Sequence, residues 1–203
     1  MNVKHIMLPL SELTTVSSTS TVSEVLDILD SKKLLSLPVI DDKIFKGVIA
    51  KKDLLETFVK TKNPNFMNQP IINYINTNIP RIYHNDIMED AAKLLVDHNI
   101  SFIPVFDETK LVGIVTHKNI FQTFNKMLGL GETRISLAMR DVPGQLALLT
   151  KIIHKQKANI ISIVEIDLEL MNLREIILRV KTDDIKSLIK EINKHGFRII
   201  QVD

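Results

Sequence analysis

The 203-residue chain is 45% hydrophobic and 25% charged, the balance of an ordinary globular protein, with a net charge of +2. That charge offers no field to recruit nucleic acid, and the absence of cysteine excludes disulfides and thiolate chemistry. No run nears the roughly 18 apolar residues that span a bilayer, and the apolar patch before Pro9 is too short for a signal-peptide core. No membrane partner, no nucleic acid and a cytoplasmic location are therefore expected.

In chain order, Val22, Val25, Leu26 and Leu29 fall at i, i+3, i+4 and i+7, one face of an amphipathic helix. Ser20 and Thr21 are suitable caps ahead of it. A Pro-led apolar strand follows, Leu37-Pro38-Val39-Ile40-Asp41, then Gly47-Val48-Ile49-Ala50-Lys51-Lys52-Asp53 leading into a helix at Leu54. The same series then recurs. Met88, Ala91, Ala92 and Leu95 repeat the helical face, with Asn85 and Asp86 as caps. Ile103-Pro104-Val105-Phe106-Asp107 repeats the strand, and Gly113-Ile114-Val115-Thr116-His117-Lys118-Asn119 repeats the motif. One constant offset relates the prolines and the glycines, which argues for internal duplication. Each copy reads strand, helix, strand, strand, helix. Each is small for an independent core, so two copies packed together would bury each other's apolar surface.

After Gly129-Leu130-Gly131 the pattern changes. Ile135, Leu137 and Met139 alternate as a strand, and Asp141-Val142-Pro143-Gly144 reads as a turn with Pro suited to a first helical turn. Leu146, Leu149, Ile152 and Ile153 mark a helix. Strands are expected at Asn159–Val164 and around Ile176, Leu178 and Val180. Ile185, Leu188, Ile189 and Ile192 form a second helix face, closed by His195-Gly196, and Phe197–Val202 gives a last strand. The order is βαββαβ, the ferredoxin-like arrangement. The parts are 1–66, 67–128, a linker at 129–132, and 133–203.

The repeats resemble CBS domains, on the Pro38-Val39 and Pro104-Val105 strands and the motifs beginning at Gly47 and Gly113. The C-terminal part resembles an ACT domain, on Asp141-x-Pro143-Gly144-x-Leu146 and Asn159-Ile160. The combined order resembles the acetoin utilisation protein B family of bacterial regulators. The fold class implied is α+β: two tandem CBS domains forming a CBS pair, plus a C-terminal ferredoxin-like ACT domain. The resemblance also implies clefts for an adenine nucleotide such as AMP, ADP or ATP as regulatory ligand, with no other cofactor. It further implies an amino-acid-like ligand at the ACT domain, a homodimer, and a protein target that the sequence does not name.

In CBS domains the glycine is followed by apolar residues, then Thr or Ser, and three residues later Asp. The carboxylate can accept from both hydroxyls of a ribose, and a helix N-terminus beside it suits phosphate. This chain departs from that pattern twice. The first copy keeps Asp53 but has Ala50 in place of the hydroxyl. The second keeps Thr116 but has Asn119 in place of the carboxylate. Asp53 is the favoured ribose ligand, and Lys51, Lys52, His117 and Lys118 are the candidates for phosphate. Asp53 and Asn119 also begin helices and suit N-caps, and Lys51 and Lys52 also suit a solvated face. In the ACT part, Gly144 would let an amino-acid-like ligand approach closely, Asp141 would receive its ammonium, and Pro143, Asn159 and Ile160 belong to the same candidate set. Alternatively, Gly144 makes the turn and Asp141 caps the helix.

None of the six histidines falls in a metal-ligand spacing, and no nucleophile motif or P-loop occurs, so neither catalysis nor a metal is expected. Two functions remain: a non-catalytic sensor of an adenosine-containing nucleotide, or a structural dimerisation module with degenerate sites that scaffolds or modulates an enzyme. Ala50 and Asn119 favour the module; Asp53 and Thr116 favour the sensor. On the outer face of the C-terminal sheet, Ile177 is expected among Glu175 and Arg179, with Ile160, Val164 and Ile166 beside it. That apolar content is the ground for the homodimer.

Overall fold

The computed structural model describes residues 1–170 and 172–203 and divides into two units, Met1–Phe121 and Gln122–Asp203. The first unit begins with β1 (Leu8–Pro9), α1 (Val22–Ser31), β2 (Ser36–Asp41), β3 (Ile44–Ala50) and α2 (Lys51–Thr61). It continues with β4 (Ile82–Tyr83), α3 (Met88–Asp97), β5 (Phe102–Asp107), β6 (Lys110–Thr116) and the start of α4 (His117–Leu128).

The duplication is visible residue by residue. Pro38 lies opposite Val48 in the β2–β3 pair and Pro104 opposite Ile114 in the β5–β6 pair, and each pair is interrupted by a bulge after the following Val. The left-handed residues recur too, Lys33 with Asn99 and Asp42 with Glu108. α1 buries Val22, Val25 and Leu29, and α3 buries Met88, Ala91 and Leu95.

The caps differ between the copies. Thr21 closes a capping box with Glu24 at the start of α1. Neither Asn85 nor Asp86 caps α3. Asp86 instead accepts from the Tyr83 N–H at 2.8 Å and closes a turn, while Ile87 is the residue before the helix and the Met88 N–H donates to the Met1 carbonyl at 2.9 Å. The equivalent bond in the first copy runs from the Val22 N–H to the Gln69 carbonyl, also 2.9 Å.

Those two bonds belong to a larger exchange. β1 pairs with β6 of the second copy, and Val3 and Ile6 sit in the core with Ile103, Val105 and Val115. The segment ahead of the second copy does the reverse. Asn76 exchanges backbone hydrogen bonds of 3.0 and 2.8 Å with Val48, and Phe66 and Ile71 sit in the core with Val39, Ile49 and Leu54. Each core is thus completed by the segment that precedes the other copy. A smaller cluster of Val48, Phe102 and Ile114 joins the two copies. The crossing segments explain the motif glycines: a Cβ on Gly113 would fall 2.4 Å from the Leu8 carbonyl oxygen, so only glycine fits the approach.

The second unit contains β7 (Thr133–Arg140), α5 (Gln145–Lys155), β8 (Asn159–Leu170), β9 (Leu173–Lys181), α6 (Ile185–Lys194) and β10 (Arg198–Val202). Its sheet order is β10-β7-β9-β8, with antiparallel neighbours throughout. Ile135, Leu137, Met139, Ile176, Leu178 and Val180 face Leu149, Ile152, Ile153, Leu188 and Ile192 of the two helices. The alternation expected along β8 is shifted by a bulge between Ile160 and Ser162. Ile160 therefore packs with Ile163 against the core and leaves the outer-face set, whereas Ile166 stays exposed. Pro143 lies outside the first turn of α5, because Gly144, at φ 89°, is the residue that precedes the helix. Nothing stands within 4 Å of a Cβ built on Gly144, so its backbone conformation, not crowding, calls for glycine.

Candidate functional site

The first motif runs off β3 directly into α2. Ala50 precedes the helix and supplies no side-chain cap, so Asp53 is the third helical residue and not the N-cap. Among the described residues no hydrogen bond or ion pair engages its carboxylate, which is exposed. Every acceptor position on Asp53 is therefore open, at a helix end where negative charge is favourable.

Asp53 borders a cavity of about 830 Å³ formed between the two copies. From the first copy come Leu35, Ser36, Val48, Ala50, Lys51, Lys52, Leu55 and Glu56. From the second come His98–Phe102 and His117, and Asn76 and Ile79 close one side. One wall is apolar, built by Val48, Ile79 and Phe102. Ser36 and Ser101 share a hydrogen bond between their hydroxyls at the junction of the copies. Lys51 is ion-paired with Asp30 of α1. Lys52 stands 3.8 Å from Glu56 one turn on, an exposed pair weak enough for a stronger anion to replace.

The second motif is built differently. The Thr116 hydroxyl accepts from the Asn119 N–H at 3.2 Å. The Asn119 side-chain oxygen accepts from the Thr116 N–H at 3.0 Å and from its hydroxyl at 2.6 Å. This is a closed box with Thr116 as cap and Asn119 in the third helical position. Of the seven residues read from sequence, the cavity brings together Asp53, Lys51, Lys52 and His117; Thr116, Lys118 and Asn119 do not line it. Sequence reading missed Ser36, Asn76, His98 and Ser101. The two serines had a signal, since Ser36 opens the Pro-containing strand β2 and Ser101 directly precedes its repeat β5.

In the second unit Asp141 is already engaged. Its carboxylate accepts from Arg174 at 2.7 Å, and Arg174 also lies 3.2 Å from Glu165. The hydrogen bond to Asp141 holds the Arg174 guanidinium above its ordinary pKa, with Glu165 and Asp167 adding to the effect. Asp141 does not cap α5. Asn159 and Ile160 lie level with Lys181 and Val180, whereas Asp141 follows Arg140, level with Leu173. The two halves of that candidate set are separated by eight residues of β9, about 26 Å of strand. One chain does not bring them together.

Among the described residues no group of three His, Asp or Glu could hold a metal ion, and no helix is long and apolar enough to cross a membrane. Residues 3–60 and 71–126 match the CBS domain, and residues 131–203 match the TTHA0829-like ACT domain. The chain is 26% identical over 129 residues to the CBS domain-containing protein YhcV of Bacillus subtilis, covering 62% of this chain and 90% of that protein. A crystal structure of CBSX2, a protein of Arabidopsis thaliana, in complex with AMP superposes with a TM-score of 0.54 at 28% identity, covering 61% of this chain and 95% of that one. The protein CbpB, solved in complex with c-di-AMP, superposes with a TM-score of 0.54 at 24% identity over 62% of this chain and 85% of its own, a likeness of fold alone.

Proposed function

Because the chain belongs to the CBS domain family, as a tandem pair followed by an ACT domain, we propose that it is a non-catalytic regulatory sensor holding an adenosine-containing nucleotide in the cavity between the copies. The observation that carries this reading is the unengaged carboxylate of Asp53 at the edge of the cavity between the copies. A ribose diol presents two O–H donors, and an open carboxylate can take both. The base fits the apolar wall of Val48, Ile79 and Phe102, and Lys52 and His117 stand where phosphate charge can be met. The AMP complex of CBSX2 supports an adenine nucleotide over other ligands.

As a sensor, the protein must have different affinity for the ligand in two states, with couplings of about 1–3 kcal/mol. The states differ in how copies of the chain, or a protein target, are engaged. The resemblance to the acetoin utilisation protein B family extends the reading to a bacterial metabolic regulator. At the ACT domain an amino-acid-like ligand has to displace Arg174 from Asp141, so the Arg174→Ala chain is the one to titrate with amino acids.

The test is a thermal-shift panel of AMP, ADP, ATP, S-adenosylmethionine, NAD and c-di-AMP. A ligand present at a hundred times its Kd adds about 2.7 kcal/mol to the native state and raises Tm by several degrees. No response to any of the six overturns the sensor. The module reading would then stand, favoured by the exposed Leu55 and Val59 on α2 and Phe121 on α4.

A further inference from the structure

The two motifs descend from one sequence pattern but end in opposite states. Asp53 is open on all sides. Asn119 has spent its side-chain oxygen on two donors from Thr116, its N–H and its hydroxyl. The amide nitrogen left to Asn119 can only donate, so it cannot accept from a ribose diol. For Asn119 to serve a nucleotide as Asp53 does, the box would have to open and leave the Thr116 N–H and hydroxyl without the acceptor they share. The cavity reflects the same asymmetry. It is lined by Ala50, Lys51, Lys52 and Asp53 of the first motif, but by His117 alone of the second.

We infer that the Thr116–Asn119 box retires the second motif from ligand binding, so that the chain takes one adenosine nucleotide, held by the first motif and faced by the second copy. This rests on the sensor reading and adds stoichiometry and polarity to it. The second copy then contributes the opposite wall, His98–Phe102 and His117, and not a second ribose site. Binding is polar between the copies: charge recognition by carboxylate comes from one side only.

Calorimetric titration of the full-length chain with AMP tests it. The expected result is one site per chain. The Asp53→Ala chain should keep that single site with affinity reduced about ten- to a hundredfold, the loss of a charged hydrogen-bonding pair. Two sites per chain in the wild type would overturn the inference and leave the sensor reading standing. So would an Asp53→Ala chain that keeps a site of wild-type affinity. No heat with AMP, together with no response in the thermal-shift panel, overturns both.

Discussion

A Cβ on Gly47 would fall 2.5 Å from the carbonyl oxygen of Asn76, inside any van der Waals contact. The glycine is therefore fixed by the segment that crosses β3 on its way to the second copy. Its counterpart Gly113 meets Leu8 in the same way, without a left-handed φ of its own. Gly113→Ala thus isolates crowding from backbone strain. Each substitution should cost about 1–3 kcal/mol, as overpacking does, and Gly47→Ala should be the worse of the two because φ there is 149°. Urea denaturation followed by circular dichroism measures this. An unmoved midpoint for Gly113→Ala would show that β1 is not held where it pairs with β6.

Asp53→Ala should weaken AMP binding by about 1.5–3 kcal/mol, the range for hydrogen bonds to charged groups. The folded state should hardly notice, because the carboxylate is exposed and unengaged. Calorimetry and a melting curve on one sample separate the two effects. Unchanged affinity would move ribose recognition away from the first motif.

Asp41 gives a prediction in pH. Hydrogen bonds from the Ser18 side chain and backbone N–H, then from the Ser17 hydroxyl, hold its carboxyl below its ordinary pKa. A folded value below the unfolded one means that the contribution is present above the unfolded pKa, about 3.9, and is lost as pH falls through the folded value. The carboxyl carbon shift of Asp41, followed by NMR through the acid range, should titrate below free aspartate. Ser17→Ala, which removes the hydroxyl that donates to Asp41 at 2.8 Å, should move that midpoint upward, and an unmoved midpoint would refute the assignment.

The duplication was legible because its signals are local and occur twice: a 3.6-residue apolar period, a Pro-led strand, and a glycine at constant offset. The βαββαβ order was legible for the same reason. The exchange of segments was not, because Leu8–Pro9 and Asn76 pair through one or two residues, too few to show a period. The phase of β8 was lost at a single bulged residue, Ile161, which moves Ile160 into the core. At the site, Asp53 could be named, but its contrast with Asn119 needed the geometry. The same residue types can bond outward or to their own helix start, and only the folded arrangement separates the two. The helix cap expected of Asp141 is absent because its carboxylate pairs instead with Arg174 of β9, 33 positions away.

Assembly is the last expectation. A helix that serves only its own core carries one apolar stripe, yet α2 buries Leu54 and leaves Val59 68% exposed, and α4 buries Ile120 and leaves Phe121 64% exposed. In the second unit Ile166 is 41% exposed on the edge strand β8, next to half-buried Val164 and opposite Glu175. An open sheet edge with apolar side chains is a surface that a second copy can cover. The prediction is a homodimer joined at least partly through the C-terminal unit, and light scattering at micromolar concentration should give twice the chain mass. Ile166→Glu places a charge on that surface and should shift the protein toward monomer, while Phe121→Glu does the same at the helices. A dimer weakened by Phe121→Glu alone would assign the interface to the CBS pair. A monomeric wild type would remove the dimer altogether, and the exposed stripes would then have to meet a different protein.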